Sequence, residues 1–292
     1  MKRGVFFFLW VLTGISLRAQ SGFMEPGSTG FRVMENLHRF HYDSARILIR
    51  KNQSRLSEGE YHFLLVNYYW WMMVSSLKPE TYRDSLLREM NTTDRLLAGT
   101  DTTDSRNYYI RLMNNGFRYR LAFKEERFLD GLKYANRTAR NIHYALKHAE
   151  DSPFLKLTAA IYLFSTGWGE ERYWYLKPYF LTIPKGDTLK GLRYLTELTR
   201  HPNSVVADEA AYVALRIYKD MTHDYDKALP LARKLVHNNP ENLFYLAVLI
   251  RIKKKSGLNT RNEENRYFRL WQQTRFVDDN QRQFYRRWQN IP

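Results

Sequence analysis

The pattern that most constrains this chain is the spacing of its apolar residues, which follows a helical period almost from end to end. Phe128, Leu132, Ala135, Ala139, Ile142 and Leu146 alternate steps of four and three, the spacing that lines residues along one stripe of an α-helix. Ala207, Ala210, Ala211, Ala214, Leu215 and Tyr218 form a second stripe, made mostly of small side chains that let a neighbouring helix come close. Leu243, Leu246, Ala247 and Ile250 repeat the rule. Ser57 and Glu60 have capping-box spacing and open the apolar stretch from Tyr61 to Val74. No run of four or more residues alternates cleanly with period two between turn signals, so no sheet is expected. The periodicity predicts an all-α chain of about eleven helices: 31–51, 57–77, 79–98, 103–123, 125–149, 152–166, 187–200, 204–220, 224–237, 241–255 and 262–288.

Residues 1–19 read as a separate piece. Lys2 and Arg3 precede the apolar run Val5–Leu12, and Leu17 and Ala19 offer small-residue cleavage before Gln20. That run falls short of the roughly 20 residues that span a bilayer, so it reads as a secretory signal cleaved near Ala19, the other reading being a retained anchor. The Leu-Arg-Ala-Gln ending resembles the signal sequences of exported proteins of Bacteroidetes-type bacteria. Export to the periplasm or cell envelope then shapes the reading of charge. The chain carries a formal net charge of +16, and residues 251–292 alone hold eleven Lys or Arg against four acids. An exported protein does not meet nucleic acid, so the charge points to an acidic envelope protein, or to an anionic lipid or polysaccharide surface. A merely solvated helix face is the plainer alternative.

Eleven helices joined by short polar connections call for a search for internal repeats. Gly131-Leu132-Lys133-Tyr134 recurs as Gly191-Leu192-Arg193-Tyr194, each early in a helix, and the second copy runs on to Pro202-Asn203. In the next unit Ala228 takes the glycine's place and Pro240 follows. A small residue early in the second helix of a hairpin permits close crossing by the first, and a proline beyond its end stops it. Tyr212–Asn242 resembles a tetratricopeptide repeat, with Tyr212 and Leu215 at the aromatic and leucine positions of the first helix. Asp224-Tyr225-Asp226-Lys227-Ala228 opens the second helix and Pro240 closes the unit. Arg216, Lys219 and Leu235 depart from the family pattern. The resemblance implies a solenoid of stacked antiparallel hairpins, each covering the apolar face of the next. Five regions follow: the signal at 1–19, a flexible mature amino terminus at 20–30, irregular hairpins at 31–166, an insertion at 167–186, and repeat-like hairpins with a basic capping helix at 187–292.

The insertion is the candidate site. Thr166-Gly167-Trp168-Gly169 reads as a helix end, after which an aromatic and basic loop runs through Arg172-Tyr173-Trp174-Tyr175 and Lys177-Pro178-Tyr179-Phe180 to Pro184-Lys185-Gly186. Hairpin connections usually take two to eight residues, and long insertions in a solenoid commonly lie on its binding face. Trp168, Arg172, Tyr173, Trp174 and Tyr179 are the residues expected to hold a partner, the rings by contact area and Arg172 by charge. The alternative is that the rings pack back over the helices. The cluster Tyr68-Tyr69-Trp70-Trp71-Met72-Met73 wraps every side of its helix and is expected in the core. The last helix, with Tyr267, Leu270, Trp271, Phe284 and Trp288 amid arginines, reads as a cap or as an amphipathic element at a membrane surface.

Chemistry-bearing patterns are sparse. The chain has no cysteine, which excludes disulfides, thiol nucleophiles and thiolate metal sites. Glu35, His38 and His41 stand at intervals of three, but a second Glu-x-x-His is missing and the three drift around the helix, so neither metal nor other cofactor is expected. The adjacent acids Glu170 and Glu171 offer the best proton donor for a glycan-acting alternative, in which the 168–180 loop grips sugar rings; such hydrolysis needs a second carboxyl facing the first. No nucleophile elbow, phosphate loop or zincin motif occurs. The expectation is therefore a non-catalytic adaptor that holds another envelope protein.

Overall fold

A computed structural model describes residues 22–100 and 104–288. The segment read as a signal lies outside the described residues, and no described helix is long and apolar enough to cross a membrane. Among the described residues the regular structure is entirely helical, with fifteen α-helices where eleven were expected. They are α1 (Thr29–His38), α2 (Tyr42–Lys51), α3 (Glu58–Val74), α4 (Glu80–Leu97), α5 (Ser105–Lys124), α6 (Phe128–Asn141), α7 (His143–Lys147), α8 (Pro153–Arg172), α9 (Lys177–Phe180), α10 (Thr188–Leu198), α11 (Ser204–Arg216), α12 (Tyr225–Asn238), α13 (Leu243–Lys255), α14 (Arg261–Gln273) and α15 (Asp279–Arg287).

The extra helices come from breaks that side-chain periodicity does not register. The expected helix 31–51 divides at Phe40, whose backbone enters the left-handed region at φ 71° while its ring is buried against Tyr42 and Tyr285. The single helix expected over 262–288 is two, because the chain turns between Gln273 and Asp278, and the Asp278 side chain caps α15 by accepting from the Gln281 N–H. Caps mark other starts as the sequence implies: Ser57 and Glu60 complete the capping box of α3, while Asp187, Asn203, Asp224 and Asn242 cap α10 to α13.

Helices near in sequence pack in pairs: α1 with α2, α3 with α4, α5 with α6, α8 with α10, α11 with α12, and α13 with both α12 and α14. The small residues act as expected. Ala210, Ala211 and Ala228 are fully buried, and a Cβ on Gly191 would stand 2.6 Å from the Phe164 nitrogen and 2.8 Å from the Ala160 carbonyl, so α10 crosses α8 backbone to backbone. A smaller core of Tyr108, Leu112, Ala139, Ile142, Ala145 and Leu155 lies beside the main one.

Packing also joins elements far apart in sequence. α3 is the hub: Tyr68, Trp71, Met72 and Met73 are buried, and the Trp71 ring lies about 6 Å from those of His38, Tyr212 and Phe244. On its other side the Gln281 amide reaches Ser75, the Leu77 N–H donates to Asn280, and the Tyr82 hydroxyl donates to Asp278. Residues 22–28, expected as a flexible lead-in, are also fixed. Phe23 and Met24 are buried, and the Asn203 amide donates to the Met24 carbonyl at 2.9 Å.

Candidate functional site

The sequence places the helix end at Gly167, but α8 runs on to Arg172. The glycines serve close approach instead. The returning segment lies so near α8 that a Cβ on Gly186 would fall 2.0 Å from the Gly167 nitrogen, and one on Gly169 would meet the Phe180 ring at 3.1 Å. The Asp187 N–H donates to the Leu163 carbonyl at 3.0 Å, and the Tyr162 hydroxyl to the Pro184 carbonyl at 2.8 Å. Both ends of the insertion are thus fastened to one helix. What projects beyond is the tip: Tyr173, a 3₁₀ turn over Trp174–Leu176, and α9.

The five expected residues divide by exposure. Trp168 is half-buried against the core with the Arg172 guanidinium 5.7 Å from its ring centre. Its other neighbour is Tyr173 at 5.8 Å, which leads to Tyr175 at 5.9 Å and from there to Trp174 at 6.2 Å, all edge to face. Trp174 is 75% exposed and Tyr175 60%. Tyr179 is half-buried beside Phe180; burial pushes its phenol above the usual range, and its hydroxyl has no hydrogen-bond partner among the described residues. Trp168, Arg172, Tyr173 and Trp174 are therefore linked, through Tyr175, into one chain of contacts, whereas the ring contact of Tyr179 is with Phe180.

Two exposed residues of the insertion were not among the five, and one of them joins the ring group. Tyr175 stands in the same run as Trp174, and its ring joins Trp174 to Tyr173. Leu181, 85% exposed just after α9, is a lone apolar residue that no periodicity marks. Scattered apolar residues are ordinary on a surface, but a connected group of rings is not. Within the segment the charge is one-signed: Arg172, Lys177 and Lys185 are exposed, and no acid occurs from Arg172 to Gly186, although Glu171 and Asp187 flank it.

Glu171, the candidate proton donor, is exposed and Glu170 half-buried, and neither lines the clefts beside α4 or between α1 and α11. Among the described residues no group of three His, Asp or Glu side chains is placed to hold a metal. Glu35, His38 and His41 face different partners: Arg39 at 2.8 Å, Glu209 at 3.0 Å and Glu241 at 2.5 Å. The basic carboxyl-terminal helices tie up part of their charge. Lys253 and Lys254 pair with Glu263 and Glu264, and Arg251 and Arg282 lie over Trp288 and Trp271. No protein-family model, curated protein or solved structure matches this chain.

Proposed function

We propose that this protein is a non-catalytic adaptor of the bacterial periplasm or cell envelope, exported by the signal at residues 1–19. Its hairpins follow the tetratricopeptide pattern, and it holds an acidic protein on the ring surface of Trp168, Arg172, Tyr173, Trp174 and Tyr175. The observation that carries the reading is the combination at that tip: two exposed aromatic rings linked to a third, on a base fastened by glycine contacts, in a segment whose charged residues from Arg172 to Gly186 are all basic. Aromatic residues bring large contact area with few rotatable bonds, and a cationic rim steers an acidic partner and sets its orientation. A photo-crosslinking residue at Trp174 tests the reading, with the same residue at Phe268 as the control. A specific adduct in the native envelope that forms only at Trp174 and is lost with Arg172→Glu and Lys177→Glu supports it. Equal labelling at both positions, or none at Trp174, overturns it.

A further inference from the structure

A second place on the molecule gathers charge without serving the aromatic tip. A cleft of about 330 Å³ opens where the end of α1, the turn from α10 to α11 and the end of α12 converge. That size suits a small molecule or a single group, since ligand pockets run from roughly 300 to 1,000 Å³.

His38 lies at this cleft, only 2% exposed. One ring nitrogen, Nε2, faces Glu209 at 3.0 Å, and the carboxylates of Glu209 and Asp208 overcome the effect of burial to keep the imidazole charged. The other nitrogen, Nδ1, has no hydrogen-bond partner: the Asp208 oxygen stands 3.9 Å away, too far to accept. Both Asp208 oxygens are already engaged, by Asn238 at 2.8 Å and Asn239 at 2.7 Å. His38 therefore lends the cleft wall a positive charge from within, its Nδ1 buried and facing Asp208, while both oxygens of that acid are engaged.

The walls have the same polarity. Arg200 is exposed and has no acidic partner among the described residues. Lys234 donates one proton to the Thr199 carbonyl and keeps two more. His201 accepts from the Asn203 N–H at Nδ1, at 3.1 Å, which puts its own proton on Nε2, and burial holds it below the usual histidine range, so it contributes a neutral donor. Two acids line the cleft, and both are answered: Glu35 pairs with Arg39, and Asp208 accepts from Asn238 and Asn239. Helix α11 begins at Ser204 on the same wall, and its first turn adds partial positive charge.

We infer that this cleft is an oxyanion site that takes the carboxylate or phosphate group of a small ligand, with Arg200 and Lys234 supplying the charge and His201 and Ser204 the remaining donors. It stands independently of the aromatic tip. Calorimetric titration of the full chain at low salt, with inorganic phosphate and separately with succinate, tests it. Saturable one-to-one binding of either ion is expected. It should weaken about tenfold or more in an Arg200→Ala, Lys234→Ala double variant, and in Arg200→Gln alone should it not fold, but stay unchanged in Trp174→Ala. Phosphate alone binding assigns a phosphate ligand, succinate alone a carboxylate, and both the shared chemistry. Failure of both ions to saturate, or wild-type binding in the Arg200 variants, overturns the site.

Discussion

His38 is the residue on which two distant helices depend. It stands between Asp208 and Glu209 of α11 although it belongs to α1, and the two carboxylates raise its pKa from 6.5 to about 9 against the opposing effect of burial. Because the folded value lies above the unfolded one, the stabilisation is complete below pH 6.5 and disappears as pH rises through about 9. A difference of this size corresponds to on the order of 3 kcal/mol. Urea unfolding at about pH 6 and about pH 9.5 should show that loss, and His38→Gln should abolish most of the difference. Asp208 acts in the opposite direction. His38, Asn238 and Asn239 outweigh its burial and hold its carboxyl below the usual value of 3.8, so its contribution is lost only in more acid solution. Glycines give a second comparison. Gly191→Ala should cost about 2 kcal/mol or more, since its methyl would press on the α8 backbone at 2.6 Å. Gly116→Ala, mid-helix with nothing within 4 Å of the new methyl, should stabilise by about 0.5–1 kcal/mol. Thermal unfolding of the two variants measures both.

The segment between α8 and α10 combines a fixed base with a protruding tip, and the two should respond differently to substitution. Replacing Trp174, Tyr175 and Leu181 together with polar residues removes exposed surface alone, so stability should change by about 0.5 kcal/mol or less per site while partner capture is lost. Gly186→Ala should instead disturb the base, because its methyl would collide with the α8 backbone. Circular dichroism melts beside capture assays separate the two effects. Most of the helices were legible from the chain, since a stripe such as Ala207 to Leu215 leaves few other conformations that bury it. The capping box at Ser57 and the close crossing at Gly191 were legible for the same local reason. Gly167 and Gly169 were not: a glycine that ends a helix and one that admits another backbone look alike until the neighbour is known. The break at Phe40 was hidden too, because a bulky aromatic with positive φ runs against intrinsic preference and is held by its packing. At the tip, Trp168 to Trp174 could be read from composition, whereas Leu181 carried no signal before its exposure was known.

At the scale of the molecule, the contacts between early and late helices set this chain apart from a simple row of repeats, in which each unit touches only its neighbours. The cleft between α1 and α11 owes its existence to such contacts, and no local pattern could have announced it: His38 and Asp208 are 170 residues apart. Truncation after Lys255 provides the test. Tyr267 and Tyr285 are buried, and Gln281 reaches across to α3, so removing α14 and α15 strips cover from the hub as well as from the preceding hairpin. The shortened chain should melt at markedly lower temperature or fail to fold, and differential scanning calorimetry of the full chain should give one transition instead of successive ones. Linear arrays lengthen readily in evolution, because a duplicated unit simply extends the row. Here the clasp of α15 on α3 and α4 opposes that route: a hairpin copied in between would prise Gln281 away from Met72 and Ser75 and Asp278 away from Tyr82, so growth by duplication would have to dismantle the hub before it could add to it.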